Sequence, residues 1–135
     1  MTSYTYRQIK AKEKVMEKRV VIAGCRYFDD YNKAKTSIDD LLSKIQKEEK
    51  IIILSGGCKG ADLLGERYAK EKGYDIEYHP ANWKRYGRAA GQKRNEDMAK
   101  ECDIVICFWD NESKGTKGLI EYSKKYKKQI IIKNI

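Results

Sequence analysis

Hydrophobic and polar positions alternate in blocks along the chain. Short aliphatic runs at residues 20–24 (VVIAG), 51–55 (IIILS), 74–79 (YDIEYH), 103–109 (DIVICFW) and 129–133 (QIIIK) predict five strands. Between the first two, Ala34, Ile38, Leu41, Leu42 and Ile45 recur at spacings of three and four, which predicts a helix within residues 30–48. Ala61, Leu64, Tyr68 and Ala69 mark another, and Ala90, Arg94, Met98 and Ala99 a third, with an arginine on its stripe. After Gly118, Leu119, Tyr122, Ser123 and Tyr126 mark the last.

Strands that are apolar at nearly every position must be covered on both faces. Their alternation with amphipathic helices predicts an α/β fold, a mainly parallel five-stranded sheet with helices on both sides. Sheets of this kind bind ligands beyond the carboxyl ends of their strands, near the point where strand order reverses. The unusual residues fall there: AGCRYF, SGGCKGAD, HPANWKRYGR and WDNESKGTKG each follow a predicted strand. Residues 1–18 are charged and show little apolar period, so they read as a basic N-terminal arm, flexible or loosely docked. Order is expected over 19–135, as one domain.

Composition narrows the class. A chain of 135 residues, 41% hydrophobic and 36% charged, suits one compact domain. Its apolar runs fall short of the roughly 20 residues that span a bilayer, and the N-terminus has no signal-like apolar core, so the expected location is cytoplasmic, away from any membrane. Cys25, Cys58, Cys102 and Cys107 form no CxxC pair and His79 is the single histidine, a spacing poor for zinc and for a disulfide framework. These cysteines read as small buried residues, Cys58 apart, whose place in a glycine loop leaves its thiol able to face a ligand. No metal and no cofactor are expected. A net charge of +9 favours polyanions without selecting one, and its lysine clusters at residues 10–19 and 124–128 read as solvated ends.

Three loops carry candidate chemistry. In SGGCKGAD, the glycines can bring backbone N–H groups close to a ligand while the next helix aims its positive end at the same spot, which suits phosphate; a tight strand-to-helix turn is the other reading. The spacing matches neither GK[ST] nor GxGxxG. NESKGTKG offers the hydroxyl of Ser113 and the backbone of Gly115, Thr116 and Gly118 ahead of the last helix, with Ser113 or Thr116 equally suited to cap it. In GRAAGQKRNEDM, Arg94 faces a packed surface and needs an anion, either an internal acid such as Asp62 or a bound phosphate, unless its head reaches solvent. Tyr27, Phe28, Trp83 and Tyr86 add aromatic rings able to stack on a base.

Taken in order, SGGCKGAD, HPANWKRYGRAAGQKRNEDM and DIVICFWDNESKGTKG resemble the YspA-related family of the SLOG superfamily, over about residues 19–133. The resemblance implies a Rossmann-like three-layer sandwich, a homo-oligomer, and a nucleotide or nucleotide-derived small molecule held at the glycine loop and the GT loop. The binding set expected on both grounds is Gly24, Arg26, Ser55, Gly56, Gly57, Lys59, Gly60, Asp62, Trp83, Arg94, Asn95, Ser113, Gly115 and Thr116. Lonely Guy members of the superfamily cleave nucleotide N-glycosidic bonds with an arginine, which Arg94 is similar to, and a glutamate just after the threonine of GGxGTxEE. Here Lys117 and Gly118 follow Thr116, and the next acid is Glu121. Binding without turnover is therefore the leading expectation. A hydrolase using Arg94 with Asp62, Asp110 or Glu121 is the first alternative, and a single-stranded nucleic-acid binder the second.

Overall fold

The computed structural model of the chain describes residues 17–45 and 49–135. Strand and helix alternate as β1 (Glu17–Gly24), α1 (Tyr31–Leu42), β2 (Lys50–Ser55), α2 (Ala61–Lys72), β3 (Asp75–Tyr78), a short α3 (Trp83–Tyr86) that runs through a 3-10 turn (Gly87–Ala89) into α4 (Ala90–Glu101), then β4 (Ile104–Trp109), α5 (Lys114–Lys125) and β5 (Gln129–Asn134). The sheet order is β3-β2-β1-β4-β5, and every neighbouring pair is parallel.

Alternate residues of each strand feed two separate cores, which makes the three-layer arrangement. Val20 and Ile22 of β1, Ile53 of β2 and Ile106 of β4 pack with Ala34 and Ile38 of α1 and with Ala61 and Tyr68 of α2. Val21, Leu54, Val105 and Cys107 point the other way and meet Met98 and Ala99 of α4 and Leu119 and Ile120 of α5. Because both faces of β1 and β4 are covered, their central residues have no solvent exposure. That accounts for runs without the polar alternation of a half-exposed strand.

The described boundaries move three expectations. Strand β1 starts at Glu17, since Glu17 and Lys18 already pair with Lys50 and Ile51, so only residues 1–16 of the expected arm lie outside the described residues. Helix α1 ends at Leu42, and residues 46–48 of the longer helix expected there are also outside them. Helix α5 begins at Lys114, so Gly115, Thr116 and Gly118 belong to its first turns rather than to a loop ahead of it. The cause is Asp110: its Oδ1 accepts the N–H groups of Glu112 and Ser113, which winds the chain into a turn ahead of Lys114. Among the described residues, no helix is long and apolar enough to cross a membrane.

Candidate functional site

From β1 the sheet grows one way to β2 and β3 and the other way to β4 and β5, so strand order reverses between β1 and β4. A cleft of about 360 Å³ opens at their carboxyl ends. Ala23 to Tyr27 form one wall, Ser113 to Thr116 another, and Arg94, Asn95 and Met98 of α4 a third, with Cys58, Asp62 and Leu119 completing the lining. The loop after β2 is drawn onto the end of β1 by the Ala61 N–H, which donates to the Cys25 carbonyl at 3.2 Å. Only a glycine fits at position 60, where φ is +80° and a Cβ would come within 2.2 Å of that same carbonyl oxygen.

At the N-terminus of α5, the cap is made differently from either sequence option. Ser113 stands at the cap position but makes no side-chain bond to the helix; its Oγ donates to Asp110 Oδ2 at 3.1 Å and lies 3.2 Å from Cys25 Sγ. Asp110 supplies the turn instead, and the Ser113 N–H leads the bonds that hold its carboxyl well below the usual carboxylate range. The N–H groups of Lys114, Gly115 and Thr116 have no hydrogen-bond acceptor among the described residues, as the opening turn of a helix leaves them. Three open donors and the positive end of α5 thus border the cleft.

Arg94 stands opposite, on the first half of α4. Its Nη1 donates to the Gly56 carbonyl at 2.6 Å, its Nε to Asn95 Oδ1 at 2.9 Å, and its Nη2 approaches Cys58 Sγ at 3.6 Å. Asn95 is buried and reaches the other way as well, donating from Nδ2 to the Gly115 carbonyl at 3.2 Å. One amide therefore fixes the guanidinium and the opening turn of α5 in a common frame. Arg94 forms no ion pair among the described residues. Its nearest acid in the cleft is Asp62, whose Oδ2 accepts the Cys58 N–H at 3.2 Å. Burial pushes the Asp62 carboxyl up to about 6, while the Cys58 N–H and the Arg94 charge oppose that rise. A Cβ on Gly56 would sit 2.8 Å from Arg94 Nη1 and 2.9 Å from Asp62 Oδ2, so both groups occupy the space that this glycine leaves.

The glycine loop itself is arranged otherwise than expected. Its Gly57 N–H donates to Ser55 Oγ at 3.1 Å and its Cys58 N–H to Asp62, so two of the backbone donors are turned inward. Ser55 is in turn held by Glu66, to which its hydroxyl donates at 2.6 Å. Ser55, Gly56 and Gly57 border a second cavity of about 310 Å³, together with Tyr78 to Ala81, Trp83 and Arg94.

Of the expected residues, the cleft gathers Gly24, Arg26, Asp62, Arg94, Asn95, Ser113, Gly115 and Thr116. Trp83 joins the second cavity, whereas Lys59, Gly60, Asp110 and Glu121 line neither. Glu121 is exposed on α5, away from the cleft. Gly118 sits where α4 and α5 touch, and a Cβ there would meet Gln92 Oε1 at 2.2 Å. Cys25, Met98, Leu119 and Lys114 line the cleft without having been singled out by sequence; for Lys114, adjacency to Gly115 was the available signal. Elsewhere Glu77, His79 and Glu101 converge, but Arg19 reaches both glutamates as their ion-pair partner.

The sequence profile of the YspA, cpYpsA-related SLOG family matches residues 18–86. No curated protein matches the chain. Among solved structures, the X-ray structure of DNA processing protein A (DprA) from Streptococcus pneumoniae is similar, with a TM-score of 0.66 and 16% identity. That likeness, at that identity, shows the fold. It covers 90% of this chain and 51% of the other, so the chain spans about half the length of DprA.

Proposed function

The chain belongs to the YspA, cpYpsA-related SLOG family, and from that membership we propose that its cleft binds a nucleotide or nucleotide-derived small molecule, with the phosphate seated between the opening turn of α5 and Arg94. The observation that carries the reading is a half-buried guanidinium that has no ion pair among the described residues, locked by Asn95 to a helix end whose three N–H donors are likewise without an acceptor among them. An anionic phosphate satisfies both at once. Arg26 and Lys114 add charge to the rim of the same cleft. The Gly57 and Cys58 N–H groups are already taken by Ser55 and Asp62, which favours the GT turn over the glycine loop as the seat of the anion.

Calorimetric titration with AMP, adenosine and ribose 5-phosphate tests this. Saturable binding of the two phosphorylated compounds, absent for adenosine and weakened by Arg94→Ala, is the expected result. Equal binding of adenosine and AMP would refute a phosphate seat.

A hydrolytic reading has one observation in its favour: Asp62 is a buried carboxyl with a raised pKa beside Arg94, a combination suited to proton transfer. Release of free base from AMP, lost in Asp62→Asn, would establish it over simple binding.

A further inference from the structure

Apolar rings left in water are informative when they gather at one place. Among the described residues, the exposed large apolar side chains are Tyr27, Leu63, Tyr78, Trp83 and Ile132, and all three aromatics border the two cavities described above. Tyr78 and Trp83, 56% and 59% exposed, stand on the second cavity. Trp83 is held there rather than loose. Asn82 Oδ1 accepts the Arg85 N–H at 3.0 Å to start the short α3, and the indole edge lies over Gly91, 3.9 Å from where a Cβ would stand. His79 lines the same cavity and gives Nε2 to Glu77 at 2.7 Å, which leaves Nδ1 without a partner among the described residues. Gly57, with nothing within 4 Å of its Cβ position, leaves that side unobstructed.

The two cavities share Arg94 and Cys58, so they are adjoining lobes with the guanidinium between them. From this we infer that the second lobe is a subsite for a planar nitrogen heterocycle, stacked on Trp83 and Tyr78, whose anionic end lies across Arg94 in the first lobe. The ligand class is then a nucleotide whose base lies on the β3 side of Arg94, and a sugar phosphate alone fills only half of the site. A face of the indole supplies the stacking surface, and the free nitrogen of His79 supplies a polar partner for a heterocycle edge. This inference rests on the phosphate seat proposed above and adds the position of the base.

The test compares AMP with ribose 5-phosphate by calorimetry on the wild-type chain, Trp83→Ala, Trp83→Phe and Arg94→Ala. Trp83 is largely exposed, so its replacement leaves both cores untouched. In the wild type, AMP is expected to bind more tightly than ribose 5-phosphate. Trp83→Ala should weaken AMP by roughly 5- to 100-fold, to the level of ribose 5-phosphate, and leave ribose 5-phosphate itself unchanged, with Trp83→Phe between the two. If both compounds bind alike, or if Trp83→Ala affects neither or both equally, the heterocycle subsite is wrong, while dependence on Arg94 keeps the phosphate seat. If neither compound binds, both readings fall together.

Discussion

Arg94 Nη1 donates to the carbonyl oxygen of Gly56 at 2.6 Å, which joins α4 to the loop after β2 across 38 residues of sequence. Removing the guanidinium takes away a charged donor held ready for an anion. Arg94→Ala is expected to weaken AMP by about 1.5–3 kcal/mol, roughly 10- to 150-fold. Arg94→Lys should recover little of this, because an ammonium cannot reach Gly56, Asn95 and a phosphate in one planar fork. Calorimetry of the two variants decides it, and full rescue by lysine would reduce Arg94 to a point charge.

Gly56 offers a test that leaves every charge in place. A methyl group there falls 2.8 Å from Arg94 Nη1 and 2.9 Å from Asp62 Oδ2, so Gly56→Ala must push the two groups out of their present positions. Affinity for AMP should fall by about tenfold or more, since small misplacements of positioned groups are costly. A crystal structure of the variant with Arg94 still on the residue 56 carbonyl, and affinity unchanged, would show that this packing is unimportant.

Asp62 makes stability depend on pH with a definite sign. Its carboxyl rises from 3.8 to about 6 on folding because of burial, so the folded chain keeps a proton that the unfolded chain has lost. The corresponding stability is fully present below about 3.8 and is lost as pH rises through about 6. Asp62→Asn has no proton to lose, so its stability relative to the wild type should increase with pH across that window, by about 3 kcal/mol at most. Urea unfolding of both proteins at several pH values measures the difference, and a constant offset would mean that Asp62 is not penalised by burial.

Turnover is expected to be absent. Glu121 lies exposed on α5 outside both cavities, and Gly118 stands against Gln92, so no carboxylate follows Thr116 into the cleft. An assay for free adenine and ribose 5-phosphate should show no release from AMP, and Glu121→Gln should bind AMP as the wild type does. Release that disappears in Glu121→Gln would mean that α5 delivers this acid to the cleft after all.

Local pattern carried the architecture: apolar runs such as IIILS could only be interior strands, and the stripes at Ala34, Ile38 and Leu42 or at Tyr68 and Ala69 are the faces that α1 and α2 bury. The cleft lies where the parallel order of those strands reverses, and Gly24, Arg94 and Gly115 line it together. What escaped depends on contacts between distant residues. Cys25 meets Ser113 across 88 positions, and no spacing announces that pair. Asp110 looked like a candidate acid, yet its carboxylate is consumed by the turn that starts α5. The glycine loop advertised backbone donors, but Ser55 and Asp62, both within its own sequence, take those of Gly57 and Cys58.

Amide chemical shifts report where an anion sits without assuming which residue matters. In a nitrogen-15 labelled sample titrated with AMP, the largest shifts should fall on Lys114, Gly115 and Thr116, whose N–H groups have no acceptor among the described residues, with smaller ones on Arg94 and Asn95. Saturating changes confined to the lysines at 124–128, or none at all, would contradict a nucleotide site in the cleft between β1 and β4.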